Sequence, residues 1–502
     1  MSSRKHKLAL NTISSLTFQI TTIICGFILP RIILSVFGSE VNGLVNSITQ
    51  FLGIVSFMEL GIGAVVQSSL YKPLAERNFD QISRIYVSAS KFFRTIARIL
   101  IAYVAVLIIF YPYFSKQQFS WGYNAVLIFA ISISMFAQYY FGIVNQLLLN
   151  ADQHGYIQYN IQTVTLILNT GISAILVYSG FSIQVVKLTT SAIYIFRPIL
   201  LEVYVRKHYQ INKKITYDKE PIQQKWNGIA QHVAYVILQG TDNIVLTLFS
   251  SLANVSIYSV YNLVVYGVKQ LLISTTGGFQ ALLGDLWVRQ EREKLNDVFG
   301  WFEWLVHTGT VFFFGCTGIL VVPFVAVYTK GITDANYIQP VFAALITAAN
   351  AGHCLRLPYN LMIFAGGHYK QTQLNYIISA IMNITISIAM VFKFGLIGVA
   401  IGTLVSMMYQ TVWMAWYTSK HLIEWPFRKF IKQILVDMVT VSILYLLTNR
   451  LKMENVSYFS WIVLAMKVVL IIAITIFVIN SIFYKDKIKK LVDRIFQSVF
   501  RR

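Results

Sequence analysis

The sequence predicts an all-α integral membrane protein. It should have about 14 transmembrane helices, in two pseudo-symmetric six-helix lobes around a central cavity plus two C-terminal helices. Three observations predict it: a composition too apolar for a soluble domain, a long apolar helix with one central lysine, and an internal repeat. Of 502 residues, 56% are hydrophobic and 12% charged, and nine prolines and 28 glycines are spread through apolar runs. Mean hydropathy is +0.62. The net charge of +21 would suggest nucleic acid in a soluble chain. Placed beside apolar segments it points to a cytoplasmic membrane face instead, and no nucleic-acid partner is expected. Cys25, Cys316 and Cys354 lie in apolar segments without metal-ligand spacing and read as filler, so neither metal nor cofactor is expected.

Taken in order, a basic leader, Ser2 to Lys7, precedes a first apolar helix that continues to Val36 and has no small-residue cleavage site, so it is read as retained. Further spans are expected near 42–67, 93–115, 121–149, 157–180, 183–205, 228–250, 255–283, 301–329, 338–365, 373–393, 395–419, 433–449 and 459–482. Basic residues crowd alternate loops: the leader, Lys72 to Arg98, Arg206 to Lys225, Arg289 to Lys294, Lys370, Lys420 to Lys432, and the tail. The opposite loops hold only Lys116, Lys330, Lys393, Arg450 and Lys452, with Arg31 near a helix end. Both termini of a multi-pass membrane protein are therefore expected in the cytoplasm. In the tail, Ile488, Leu491, Val492, Ile495, Phe496, Val499 and Phe500 recur at helical spacing opposite lysines and arginines, as in an interfacial helix on anionic membrane lipids.

The segment Val255 to Leu283 is long enough to cross the ~30 Å hydrocarbon layer, and Lys269 at its centre lies ~21 Å along the axis from either end. A snorkelling side chain does not reach that far. A charge held there costs at least ~2.5–3.5 kcal/mol, so Lys269 is expected to face a wet cavity or an acidic partner. Arg197, followed by Pro198, and Arg356, two residues before Pro358, are also deep. Each is expected either to face the cavity or to brace a proline kink. Arg31 follows Pro30 near the outer end of the first helix, where an interfacial role competes with a functional one, and Lys187 and Lys467 sit within snorkelling reach of the boundary. The acids within spans are chiefly Glu59 and Asp242, with Asp437 near an end, so the interior is biased toward positive charge. Such an interior suits an anion, with Asn46, Gln50, Asn262, Gln270 and Gln280 supplying polar stripes on the same helices.

The halves echo one another. A shift of 214 positions pairs Leu147, Ala151, His154, Ile167, Asn169, Ile172, Ser173 and Val177 with identical residues from Leu361 to Val391, and the charged loop AERNFDQISRIY resembles RQEREKLNDVF at nearly the same shift. Six spans per repeat give two copies entering the membrane in the same direction. The expected organisation is residues 1–210 as the N-lobe, 211–425 as the C-lobe, and 426–502 as two extra helices with the basic tail. The same shift places Glu59 on Ile273, one turn from Lys269, which raises the expectation that Glu59 and Lys269 pair and separate during gating.

With these features in place, PRIILSVFGSEVNGLVNSI from Pro30, MELGIGAVVQSSLYKPLAERN from Met58 and DNIVLTLFSSLANVSIYSVYN from Asp242 resemble the polysaccharide flippases of Wzx type, of the multidrug/oligosaccharidyl-lipid/polysaccharide exporter superfamily. The resemblance spans nearly the whole chain on loose motifs, none of them catalytic. It implies a flippase moving undecaprenyl-diphosphate-linked oligosaccharide across the cytoplasmic membrane for capsule, O-antigen or exopolysaccharide assembly, alongside polysaccharide polymerase machinery. Two rivals are weighed against it. A cation-coupled multidrug exporter of the same superfamily would line its cavity with carboxylates. A membrane enzyme would need an extramembrane segment with an acid, base or metal set, and the longest loop, Arg206 to Asn227, has no paired acidic motif. With no phosphate-cradling Gly-Lys-Ser/Thr loop, coupling to a proton or sodium gradient through Glu59 or Asp242 is the expected energy source.

Overall fold

The computed structural model describes residues 2–55, 60–115, 118–222 and 240–490. Among them every regular element is a helix: α1 (Ser2–Gly53), α2 (Leu60–Glu76), α3 (Phe79–Phe114), α4 (Trp121–Ala137), α5 (Ile143–Ala151), α6 (Gly155–Tyr178), α7 (Ile183–His208), α8 (240–249), α9 (Leu252–Val288), α10 (Arg292–Tyr328), α11 (Pro340–Leu355), α12 (Leu357–Ala365), α13 (Tyr369–Phe394), α14 (Leu396–His421), α15 (Phe427–Thr448) and α16 (Tyr458–Phe483). A lipid-exposed backbone has no water to bond with, so a chain this apolar is confined to helices or closed barrels. Large apolar side chains such as Phe392, Leu446 and Phe459 point outward, as lipid contact allows.

Ten helices among the described residues are long and apolar enough to cross a membrane. α9 is not one of them although it has 37 residues, because Asn254, Asn262, Lys269 and Gln270 dilute its hydropathy. Two elements begin earlier than hydropathy suggests. α3 and α10 both start in the charged stretches before their apolar runs, α3 capped by Asn78, whose side chain accepts from the Gln81 amide. The tail is helical over residues 485–490, and the rest of the expected amphipathic helix lies outside the described residues.

The chain forms two compact units, Met1–Ser256 and Ile257–Arg502, with the boundary inside α9. The 214-residue period is visible in their elements. α5 and α12 begin at Ile143 and Leu357, and α6 and α13 at Gly155 and Tyr369, each 214 apart. Asn169 and Ser173 are buried in α6, as their partners Asn383 and Ser387 are in α13. His154 and His368 stand at the N-caps of these two helices. In the connections after α5 and α7, Tyr209 donates to Asp152 at 2.6 Å and His154 Nδ1 lies 3.0 Å from it. Burial pushes the Asp152 carboxyl up, and these bonds more than offset it, holding the group below its ordinary value.

The break between the first two expected spans is also repeated. α1 carries a non-helical residue at Gly38 (φ 81°, ψ −179°), a backbone region that is essentially glycine-only. Leu252, 214 positions on, follows the break between α8 and α9. In the first unit α1 closes tightly on this second break: Asn42 Nδ2 donates to Ser256 Oγ at 2.7 Å, and the Ser47 and Thr247 hydroxyls are 2.7 Å apart. Gly43 makes the approach possible, since a Cβ there would stand 1.8 Å from the Leu252 carbonyl oxygen. Gly43→Ala is therefore expected to cost about 1–3 kcal/mol, by overpacking against backbone. Gly171→Ala, at a position with nothing within 4 Å, is expected to leave stability unchanged or slightly raised. Melting of both variants in detergent by size-exclusion fluorescence checks this; equal melting would show that the helices separate freely.

Candidate functional site

The second unit gathers a buried cationic cluster from three separate stretches of sequence. α9 supplies Lys269, 3% exposed, with its ammonium 4.9 Å from the centre of the Tyr266 ring. The second stretch is the junction of α11 and α12, where Arg356 (2% exposed) lies between the two helices and His353 (3%) one turn before it. α14 supplies Gln410 and Met407. One Arg356 nitrogen bonds the Gln410 side-chain oxygen and lies 3.8 Å from Met407 Sδ; the other is 2.8 Å from His353 Nδ1. Lys269 and Arg356 both act electrostatically on His353 and Cys354, so the two cations share one neighbourhood.

The junction exists because the helix cannot continue through it. Pro358 has no amide hydrogen to give the Cys354 carbonyl and its ring crowds that turn, so the helix is interrupted between Leu355 and Leu357 although Arg356 keeps right-handed backbone angles (φ −76°, ψ −22°). At the equivalent place in the first unit, 214 residues earlier, the chain makes a π-helical turn over Gln138–Gly142. Both copies interrupt the same helix, and such interruptions are common at functional sites. The copies differ in what they carry there: Gly142 and Tyr139 occupy the places of Arg356 and His353, and Val55 that of Lys269.

The remaining sequence-predicted residues fall as follows. Asn262, Lys269 and Gln280 are separated by seven and eleven positions, so α9 carries them on one face, while Gln270 is turned about 100° away. All three amides are half-buried. Arg31, Asn46, Gln50, Arg197 and Asp242 belong to the first unit. Arg197 braces the α6–α7 pair: its Nε donates to Thr165 Oγ1 at 2.7 Å and its guanidinium lies 3.7 Å from the centre of the Tyr194 ring. Asn46 bonds back to the Asn42 carbonyl at 2.8 Å, Arg31 and Gln50 are half-buried, and Asp242 is buried. Glu59 lies outside the described residues. His353 and Gln410 were missed, although the rule that singles out Lys269, an ionisable group deep in an apolar span, applies equally to His353.

The architecture defines a class: helical membrane proteins built from a duplicated six-span unit with two further helices packed on the second copy. Solved structures show the same fold. The chain is similar to the lipid II flippase MurJ in an inward closed conformation, with a TM-score of 0.68 at 16% identity over 96% of this chain and all of that one. It is also similar to an inward-facing multidrug resistance MATE family transporter of the MOP superfamily, with a TM-score of 0.56 at 15% identity over 81% of this chain and 98% of that one. A single-residue mutant of the Vibrio cholerae MATE transporter VcmN gives a TM-score of 0.58 at 10% identity, over 86% of this chain and 98% of that one. No family model and no curated protein matches the sequence.

Replacing Gln410 by Leu removes an acceptor from a buried guanidinium and is expected to cost ~1.5–3 kcal/mol. Met407→Leu, which keeps volume, is expected to cost under about 1.5 kcal/mol. Chemical unfolding in detergent checks both, and a neutral Gln410→Leu would mean that the bond to Arg356 is not needed.

Proposed function

We propose that this chain is a flippase that carries undecaprenyl-diphosphate-linked oligosaccharide across the bacterial cytoplasmic membrane, for assembly of a capsule, O-antigen or exopolysaccharide. The observation that carries the reading is that Lys269 and Arg356 are both buried in the second unit and both within electrostatic reach of His353 and Cys354. A lipid diphosphate is the ligand such a pair suits, because a bidentate guanidinium and an ammonium meet phosphate oxygens with charge-assisted bonds. In a low-dielectric interior those bonds are stronger than in water. The amides of Asn262 and Gln280 share the Lys269 face, and they suit the hydroxyls of an uncharged sugar. The fold supports carriage rather than chemistry, and alternating access of two lobes is the motion that a duplicated transporter uses. An exporter of organic cations would have to bind positive charge beside Lys269 and Arg356, at a repulsive cost.

Two measurements test the reading. In proteoliposomes with a fluorescent lipid-linked oligosaccharide, Lys269→Ala is expected to abolish flipping and Lys269→Arg to retain part of it. In cells, deletion of the gene should make the lipid-linked precursor accumulate on the cytoplasmic leaflet. A well-folded Lys269→Ala protein that flips at the normal rate would defeat the proposal, and loss of cationic-dye efflux without precursor accumulation would replace it with a drug exporter.

The proposal includes an orientation with both termini cytoplasmic, supported by the alternation of basic loops. A topology reporter fused at Lys213 is expected to read cytoplasmic and one at Ser120 external; the same side for both would break the arrangement.

A further inference from the structure

A second group of buried titratable side chains lies in the second unit, and the cationic site does not use it. On α10, Glu303 and His307 are four residues apart and so share a face, 2% and 0% exposed. His307 Nδ1 is 2.6 Å from Asp437 Oδ2 on α15, and Gln433 Nε2 donates to Asp437 Oδ1 at 3.3 Å. Glu303 accepts from the Tyr359 hydroxyl of α12 at 2.5 Å and from Trp425 Nε1 at 2.8 Å. On α16, Asn480 holds Trp304 Nε1 at 2.6 Å. Asp437 lies nine residues inside α15 from Arg428, ~14 Å along the axis.

The tautomer of His307 follows from its contacts. Asp437 is an acceptor when ionised, so the proton of a neutral imidazole belongs on Nδ1, and Nε2 is then a lone pair. That Nε2 is buried and has no hydrogen-bond partner among the described residues. The neutral imidazole with an ionised Asp437 carries one net negative charge inside the membrane. A proton can be held on Nε2 or on the carboxylate, and with it the pair carries no net charge.

Among the described residues, the other charged groups around the pair are few. α10 itself supplies Glu303. α12 gives Tyr359, on whose hydroxyl Glu303, Asp437 and Tyr484 all act. α15 adds Lys429 and Lys432 at its basic end, and the stretch after α16 adds Tyr484 and Lys487. Lys487 donates to the Gly300 carbonyl at 2.7 Å, and burial pulls its ammonium down to about 8. From α11 the titratable side chains are His353 and Cys354, which belong to the cationic cluster, and from α16 the charged one is Lys467, thirteen residues before Asn480.

We propose that His307 and Asp437 form a proton-binding site, through which the second unit takes up and releases one proton per loading. The balance is simple: a proton from water binds the His307–Asp437 pair and returns to water, with no electron transferred and no bond other than N–H or O–H made or broken. Its use as a coupling site rests on the transport reading above; the protonation itself does not. Nothing in the first copy duplicates it, since Ala89 and Phe93 occupy the places of Glu303 and His307.

The test uses the full chain, purified and placed in lipid nanodiscs, and reads pH-dependent infrared difference spectra. Carboxyl and imidazole bands are separate from those of an ammonium, which distinguishes this site from Lys487. Beside the steps of the exposed histidines and carboxylates, the wild type is expected to show a protonation step in which an imidazole or buried carboxyl band changes, and Asp437→Asn and His307→Gln are each expected to remove or shift it. Should His307→Gln fail to fold, the isosteric Asp437→Asn reads the same change. A titration identical in the wild type and Asp437→Asn would overturn the proposal and leave the pair a static brace of α15 on α10. If Lys269→Ala flips normally while the protonation step persists, the flippase reading fails and the proton site stands.

Discussion

A polar group carried into lipid has to be satisfied by the protein itself, and the rest of this structure depends on that constraint. Asn383 Nδ2 donates to Thr403 Oγ1 at 3.0 Å and Ser379 Oγ to the Ser406 carbonyl at 3.0 Å, so α13 and α14 are joined along a seam of small polar residues. The corresponding seam between α6 and α7 uses Asn169 on the Tyr194 hydroxyl and Arg197 on Thr165. Hydrophobic attraction cannot drive such pairs together in lipid, because the tails are as apolar as the side chains. Close packing and these bonds do it instead.

Duplication supplies the frame, and divergence supplies the chemistry. Both copies interrupt the same helix before the same turn, one by a π turn at Gln138–Gly142 and the other at Arg356. Yet the residues that make the cationic cluster have Val55, Tyr139, Gly142 and Phe196 at their places in the first copy. The His307–Asp437 pair is likewise confined to the second copy, where α15 and α16 add a core with α10 built on Val311, Leu320, Leu444, Val468 and Ile472. The two extra helices thus do more than enlarge the unit, for α15 supplies the carboxylate that His307 needs.

The fold is shared with a lipid flippase and with multidrug transporters at 10–16% identity, a level at which architecture persists and side chains do not. Function must therefore be argued from the residues at the sites.

The sequence by itself determined the class, the helical character, the approximate spans and the period of 214, because hydropathy and self-similarity need no knowledge of what packs against what. It also identified Lys269 as a charge too deep to snorkel to the headgroups, and Arg356 as one that either faces a cavity or braces a proline kink. Only the tertiary structure decided their company. Arg197 and Arg356 look alike in sequence, each within two residues of a proline in an apolar run, yet one is spent on Thr165 and the Tyr194 ring while the other joins His353 and Gln410. Which way a side chain faces depends on the rotation of its helix, and that rotation is fixed by contacts with helices distant in the chain. The same reason hid His307 and Asp437, 130 residues apart, whose bond exists only because α15 lies against α10.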